Sequence, residues 1–214
     1  MESINNLLDL IRDRGLKKRS ITALCGPPAA GKSTLALKLV KLLNEIEANS
    51  ATVLPMDGFH FDNSILILKN LLARKGSPPT FDVGGLMSIL SRLKKNNESE
   101  VVVPVYYRKM QLAKAGARII PKSLRYIIVE GNYLLLNQDP WKKLSLFFET
   151  TVSINVDIET LRQRLTFRWQ DHGLNKKEID DKVTGNDLIN AELVIKKSKK
   201  AEFFIDGQNM SELV

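Results

Sequence analysis

The sequence predicts an α/β domain in which helices cover both faces of a mainly parallel sheet. Short β-branched apolar runs alternate with segments of helical periodicity, which is typical of βαβ units. The length of 214 residues suits one domain, and no internal repeat or Pro/Gly-rich linker divides the chain. Hydrophobic residues make up 43% of the chain, enough to fill such an interior. We expect one three-layer α/β/α domain over residues 1–214, with a doubly wound, mainly parallel five-stranded sheet.

The individual elements follow from the spacing of apolar residues. The amphipathic spacing of residues 4–11 predicts a first helix, which Gly15 ends. The predicted strands cover residues 20–25, 51–55, 101–106, 126–129, 152–156 and 202–205. The later helices are predicted at residues 34–48, 65–73, 86–95, 159–171, 176–183 and 188–196.

Charge and cysteine content restrict the classes of protein. The 32 Lys and Arg against 24 Asp and Glu give a net charge of +8. The basic residues are scattered and no aromatic residues interleave with them, which favours a solvated surface over a nucleic-acid interface. No apolar run is long enough to span a membrane, and charged residues interrupt the N-terminal apolar positions. The single Cys25 fits a reducing compartment, so we expect a cytoplasmic protein without membrane attachment.

Residues 26–33 carry the most specific single signal, a complete G-x-x-x-x-G-K-S match. The match follows a predicted strand and opens a predicted helix, as a phosphate-binding loop requires. Its amides and the helix N-terminus would face phosphate oxygens, Lys32 would bridge the β- and γ-phosphates, and Ser33 would bind Mg²⁺. The expected nucleotide-binding residues are Gly26, Pro27, Pro28, Ala29, Ala30, Gly31, Lys32, Ser33 and Thr34.

Two acidic residues follow predicted strands at the edge where this loop would lie. Asp57 comes after the strand at 51–55, and Glu130 directly after the strand at 126–129. Ligands of open α/β sheets bind at the carboxyl ends of the strands, so both side chains would face the phosphates. Glu130 would hold Mg²⁺ directly or through water, and Asp57 would act as general base toward an acceptor hydroxyl. A helix or turn cap is the alternative interpretation of each acid.

Arginines in the predicted helix at 159–171 are candidates for binding the transferred phosphoryl group. Arg164 and Arg168 lie four residues apart and therefore on one helical face. Guanidinium groups there could spread the charge of the transition state, while an exposed charged face is the alternative. We expect a mobile helical lid over residues 159–187.

Other nucleotide-dependent classes match less well. Residues 82–85 match the D-x-x-G of signalling GTPases but follow a turn-rich segment, and residues 175–178 miss the last position of N-K-x-D. Motor ATPases and helicases need further motifs and usually a longer chain. The sequence favours a small-molecule kinase, with a nucleotide-dependent regulatory protein or a nucleic-acid-binding ATPase as the alternatives.

Several motifs resemble those of the phosphoribulokinase/uridine kinase superfamily, which includes the bacterial-type pantothenate kinases. Besides the phosphate loop they are MDGFH at 56–60, RKG at 74–76, TFD at 80–82, PVY at 104–106 and VEGNYLL at 129–135. GNDL at 185–188 and NA at 190–191 are similar to the branch labelled nucleoside/nucleotide kinase or fructose-transport-system kinase. The resemblance implies a P-loop kinase with ATP as donor, Mg²⁺, and a small polar acceptor such as a nucleoside, a pantothenate-like alcohol or a sugar.

The resemblance also implies roles for single residues. Asp57 would be the base, Lys32 would bind phosphates, Ser33 and Glu130 would lie at the metal, and Arg164 and Arg168 would be the lid arginines. The acceptor-binding residues expected at the matching positions are His60, Phe61, Arg74, Tyr107, Arg108 and Asn132. Many relatives carry Asp at the position of Tyr107, which leaves the acceptor open. The expected partners are this small-molecule substrate and, in a homodimer, a second copy of the chain.

Overall fold

The computed structural model describes residues 4–208. The α-helices of this range are α1 (Ile4–Gly15), α2 (Lys32–Ile46), α3 (Asn63–Leu68), α4 (Val83–Lys95), α5 (Ile158–Asp171), α6 (Lys176–Lys182) and α7 (Leu188–Lys197). The strands are β1 (Ser20–Cys25), β2 (Ala51–Pro55), β3 (Glu100–Tyr107), β4 (Leu112–Pro121), β5 (Tyr126–Gly131), β6 (Thr150–Asn155) and β7 (Phe203–Asp206). The 3₁₀ turns are Met56–Phe59, Leu72–Arg74, Pro78–Thr80, Arg108–Met110 and Trp141–Leu146, and a π-helical turn covers Val183–Asp187.

A five-stranded parallel sheet forms the centre of the fold, in the order β2-β5-β1-β6-β7. The predicted parallel sheet is thereby confirmed. Strand β5 lies between β1 and β2, and its Glu130 stands opposite Leu24 on one side and Pro55 on the other. The loops after β1, β2 and β5 therefore leave three adjacent strands at one edge.

Helices cover both faces of this sheet. Ile127 and Val129 of β5 pack in a cluster with residues of α4, whereas Ile128 packs in a second cluster with residues of α1, α2 and α5. Every residue of β1 and β5 is buried, and burial on both faces explains why residues 126–129 of β5 form a continuous apolar run and not an alternating one. The predicted three-layer α/β/α arrangement is confirmed.

The predicted strand at residues 101–106 is a strand, but it lies outside the central sheet. It forms β3, which pairs antiparallel with β4 in a separate two-stranded hairpin. Strand β4 has no counterpart among the predicted elements, because Lys114, Gly116 and Arg118 interrupt its apolar pattern. The register shifts between Val103 and Val105. The tip of this hairpin, residues 108–111, reaches the carboxyl edge of the central sheet, as described below.

The predicted helix at 65–73 was too long. Helix α3 begins at the cap residue Asp62, whose side chain accepts a hydrogen bond from Ser64 N, and it ends at Leu68. Asn70 then takes a positive φ of 54°, which a right-handed helix does not allow.

The segment from α5 to α7 is helical, as predicted, with the π-helical turn between α6 and α7. Asn175 and Glu178 form a capping box at the start of α6. Closure of this segment as a lid stays a prediction. No helix among residues 4–208 is long and apolar enough to cross a membrane.

Candidate active site

The phosphate loop connects the end of β1 to the start of α2 at the middle of the sheet. Gly31 has a φ of 92°, in the left-handed region that favours glycine, and Ala29 has a φ of 61°. Pro27 and Pro28 carry no N–H, so the amides available to a phosphate belong to the later residues of the loop. The loop is therefore shaped as an anion cradle in front of a helix N-terminus.

The side chain of Lys32 folds back over this loop. Its ammonium is buried and donates a hydrogen bond to Pro27 O at 2.8 Å. Burial lowers the pKa of Lys32, and the charge of Glu130 acts in the opposite direction. A phosphate bound in the loop would give this buried cation an anionic partner in place of a neutral carbonyl.

Ser33 and Glu130 form a pair beside the loop. Ser33 Oγ donates to Glu130 Oε1 at 3.2 Å, and Glu130 is only 7% exposed at the end of β5. Burial raises the pKa of the Glu130 carboxyl, against the charge of Lys32. A hydroxyl and a carboxylate are the oxygen ligands Mg²⁺ prefers, and protein sites for Mg²⁺ use few such ligands together with substrate phosphates. The two residues thus fit a magnesium ion.

Asp57 lies in the 3₁₀ turn Met56–Phe59, directly after β2. Its carboxylate Oδ2 accepts a hydrogen bond from Arg108 Nη2 at 3.0 Å, so the hairpin tip meets the sheet edge here. The charge of Asp57 acts on the pKa values of both Lys32 and Glu130, after the larger effect of burial. The structure therefore brings the predicted base, the loop lysine and the predicted metal-binding acid into one cluster.

His60 is held next to Asp57 by its own backbone turn. Its ring Nδ1 lies 2.8 Å from Asp57 O, and its ring centroid lies 4.0 Å from that of Phe81 and 4.8 Å from that of Tyr106. Burial lowers the pKa of this imidazole, which favours the neutral ring. His60 is therefore part of the cluster.

Phe61 and Tyr107, two other predicted acceptor-binding residues, lie further out. The Phe61 ring has Lys69 Nζ 5.8 Å from its centroid, and Tyr107 is 42% exposed. The adjacent Tyr106, which the sequence motifs contain but the site prediction omits, packs against His60 instead.

The two predicted lid arginines occupy different surroundings. Arg164 donates to three backbone carbonyls, at 2.8 Å to Gly207, 2.7 Å to Gln208 and 3.4 Å to Ala29. It ties the phosphate loop to the chain that follows β7, and these contacts do not bring it to Asp57.

Arg168, one turn later in α5, faces the cluster. It is half-buried, and its guanidinium has no hydrogen bond or ion pair within residues 4–208, although its Cζ lies 5.6 Å from the Trp169 ring centroid. Burial and the nearby charge of Arg108 lower the pKa of Arg168, while Asp187 and Asp57 act in the opposite direction. A half-buried cation with free donors is suited to bind an anion.

Arg74 and Asn132 contact the scaffold. Arg74 Nη1 donates to Gly185 O at 3.0 Å, and Asn132 O accepts a hydrogen bond from Cys25 Sγ at 3.1 Å. The structure thus places Arg74 against the π-helical turn and does not bring it to Asp57.

Sequence reasoning missed several residues around the site. Trp169 Nε1 donates to Asp187 Oδ2 at 2.7 Å, and burial raises the pKa of Asp187. Lys75 lies near His60 and Tyr106. Asp187 lies in the GNDL motif and Lys75 in the RKG motif. Their membership of these motifs was the sequence feature that could have identified them as site residues.

A groove beside the phosphate loop was also not predicted. It is lined by Asn155, Val156, Asp157, Phe204, Ile205, Asp206 and Gln208. Gly207 connects it to the loop, because a Cβ on Gly207 would lie 3.2 Å from Ala30 O.

Comparison with known proteins shows which family the chain belongs to. No protein-family model matches the chain. The uncharacterized protein YggC of Escherichia coli (strain K12) is 33% identical over 191 residues, which are 89% of this chain and 78% of YggC. A solved structure described as a "putative fructose transport system kinase" from Silicibacter sp. TM1040 is 35% identical with a TM-score of 0.89, covering 96% of this chain and all of that one. The chain belongs to the phosphoribulokinase/uridine kinase superfamily of P-loop kinases.

This P-loop kinase is a phosphotransferase that acts on an alcohol group of a small molecule. The pantothenate kinase of Bacillus velezensis is 34% identical over 157 residues, 70% of this chain but 47% of that enzyme. The chain therefore spans about half the length of the pantothenate kinases that it matches.

Proposed function

We propose that the protein transfers the γ-phosphoryl group of ATP to a hydroxyl group of a small polar metabolite, with Mg²⁺ as the metal ion. The acceptor would be a nucleoside, a pantothenate-like alcohol or a sugar. The observation that supports this most directly is the cluster at three adjacent strand ends. It joins the phosphate loop after β1, the Ser33–Glu130 pair at β5 and Asp57 after β2.

The donor side of the site binds the nucleotide. The loop amides and Lys32 would hold the β- and γ-phosphates, and Arg168 would add a guanidinium on the side of the leaving group. The groove at residues 155–157 and 204–208 would take the nucleoside part, since it opens directly beside the loop. Ser33 and Glu130 would hold Mg²⁺, which would supply positive charge beside the phosphates.

The acceptor side provides the base. The acceptor hydroxyl oxygen forms a bond to the γ-phosphorus, the bond from that phosphorus to the β-γ bridging oxygen breaks, and ADP leaves. Asp57 orients the hydroxyl and accepts its proton, a role that contributes about 10²- to 10⁴-fold in rate. His60 packs beside Asp57 through its backbone contact and keeps the 3₁₀ turn in place.

The proposal is tested by measuring ADP release over a panel of nucleosides, sugars, pantothenate and related alcohols. We expect release that depends on one class of acceptor and that is lost in Asp57→Asn, while binding of the nucleotide stays intact. The exposed Asp9→Asn, at a distant position on α1, serves as the matched control. Turnover retained in Asp57→Asn would remove it from the base role. ATP hydrolysis that no acceptor changes would favour a regulatory ATPase, and stimulation by DNA or RNA would favour the nucleic-acid alternative.

A further inference from the structure

Lys75 forms no ion pair within the described residues. Its half-buried ammonium donates to two neutral oxygens, Asn63 Oδ1 and Gln111 O, each at 2.6 Å. The ammonium also lies 5.5 Å from the centroid of the Tyr106 ring. Asp62 is the carboxylate whose charge acts on the pKa of Lys75, after the larger effect of burial, but Asp62 is exposed and caps α3. Lys75 is thus a rigidly held cation without an anionic partner.

Several charged side chains lie near the His60 and Tyr106 rings. Besides burial, the charges of Asp57, Lys75 and Arg108 act on the pKa of His60, and those of Asp57, Arg108 and Arg168 act on the pKa of Tyr106. The single carboxylate among these groups is already paired with Arg108. Arg168 also lies near Asp187, and Arg108 also lies near Glu130, whereas Lys75 is bonded to neutral oxygens. Lys75 is therefore the cation beside these rings that the anion of an acceptor could pair.

Lys75 contacts the hairpin tip that carries Arg108. Lys75 is bonded to the hairpin tip through Gln111 O, and Gln111 N in turn donates to Arg108 O at 3.2 Å. The Arg108 side chain is 54% exposed, so part of its guanidinium can bind a ligand while Nη2 holds Asp57. An anion at this tip would therefore stand beside the base.

We propose that the acceptor carries an anionic group, a carboxylate or a phosphate, and that Lys75 and Arg108 bind this group beside the Tyr106 ring. The proposal rests on the kinase reaction proposed above and narrows its acceptors to charged alcohols. Neutral nucleosides and neutral sugars would leave the half-buried ammonium of Lys75 without an anionic partner, which is unfavourable. The anion would also orient the acceptor, because Arg108 connects it to Asp57.

The test compares charged acceptors with neutral counterparts in three pairs: pantothenate and pantothenyl alcohol, fructose 6-phosphate and fructose, and uridine 5′-monophosphate and uridine. Binding is measured calorimetrically with Mg²⁺ and a saturating non-hydrolysable ATP analogue, so that the phosphate loop is filled. The variants are Lys75→Met, Lys75→Arg and, as a charge-matched control at an exposed position of α4, Lys95→Met. ADP release is measured with ATP on the same ligands.

We expect the charged member of at least one pair to bind about tenfold or more tightly than its neutral counterpart, as a charge-assisted hydrogen bond provides. Lys75→Met should remove this preference without changing binding of the ATP analogue, whereas Lys75→Arg and Lys95→Met should keep it. Equal binding of charged and neutral members, binding of no charged member, or a preference that persists in Lys75→Met would each overturn the proposal.

The same measurements separate the two proposals. Charged ligands that bind through Lys75 but cause no ADP release would leave the anion site standing and contradict the kinase reaction. Efficient phosphorylation of a neutral member, unchanged in Lys75→Met, would support the kinase reaction and overturn the anionic acceptor.

Discussion

Arg108 Nη2 lies 3.0 Å from Asp57 Oδ2, which joins the tip of the β3–β4 hairpin to the carboxyl end of β2. The hairpin is not part of the central sheet, so this ion pair is a direct link between the two sheets at the site. The Asp57 side chain is 28% exposed and that of Arg108 is 54% exposed. An ion pair this accessible contributes about 0–1 kcal/mol to stability. Its main consequence is therefore the position of the Asp57 carboxylate.

Arg108→Gln should reduce activity much more than stability. We expect the free energy of unfolding to fall by less than about 1 kcal/mol, because the pair is solvent-screened. We expect kcat/KM for the acceptor to fall about tenfold or more, since a charge-assisted hydrogen bond to the base is lost. Urea unfolding and steady-state kinetics measure the two effects, and the KM for ATP should stay unchanged. A loss of stability that accounts for the loss of activity would contradict this role.

Lys32→Met should abolish most turnover without unfolding the protein. Lys32 is 8% exposed and donates only to a neutral carbonyl, so an apolar side chain of similar length removes a buried charge at little cost. We expect a melting temperature equal to or above that of the wild type and a kcat lower by about 10²-fold or more. Lys41→Met, at an exposed position of the same helix, is the control. A wild-type kcat in Lys32→Met would contradict the assignment of the phosphate loop.

Gly131→Ala should displace the turn that carries Asp57. A Cβ on Gly131 would lie 2.5 Å from Met56 Cβ and 2.7 Å from Met56 Sδ, so Met56 must shift. Overpacking of this kind costs about 1–3 kcal/mol, and the adjacent Asp57 should move enough to lower kcat. Thermal unfolding and ADP release measure both effects.

Gly185→Ala is the matched control for this change, because a Cβ there has no neighbour within 4 Å and Gly185 lies in a helical turn. It should leave stability equal or raise it by up to about 1 kcal/mol. A Gly131→Ala protein as stable and active as Gly185→Ala would show that the close approach to Met56 is not needed.

His60→Gln should flatten the loss of stability at acidic pH. Burial holds the pKa of His60 below the ordinary value of 6.5, so the unfolded chain binds the proton more readily than the folded one. The contribution of the neutral ring to the free energy of unfolding is therefore complete above about pH 6.5. As the pH falls below that value, this contribution decreases by at most about 1.4 kcal/mol per pH unit. Urea unfolding between about pH 5 and pH 8 measures this dependence.

The chain contains two histidines, and the exposed His172 at the end of α5 provides the control. His172→Gln should keep the wild-type pH dependence, while His60→Gln should differ from it below about pH 6.5. Identical pH profiles for the wild type and His60→Gln would contradict a buried neutral ring at this position.

The sequence by itself determined the elements whose signals are local. Local signals include the glycines, lysine and serine of residues 26–33, the short strand β1 and the apolar run of β5, each of which acts within a few residues. Asp57 and Glu130 were also predictable, because parallel strands present their carboxyl ends at one edge whatever their order. These signals predicted the sheet, the loop and the two acids that the structure brings together.

Only the tertiary structure decided which distant segments meet. It removed β3 from the central sheet and paired it with β4, because strand pairing depends on contacts across the chain and not on the period of one segment. It separated Arg164, bonded to backbone carbonyls, from Arg168, which faces the site, although both occupy one helical face. It also brought Lys75 to the hairpin tip that carries Arg108. The partner of a charged side chain depends on which distant segments the fold brings together. The partners of the charged residues around Asp57 could therefore be identified only from the tertiary structure.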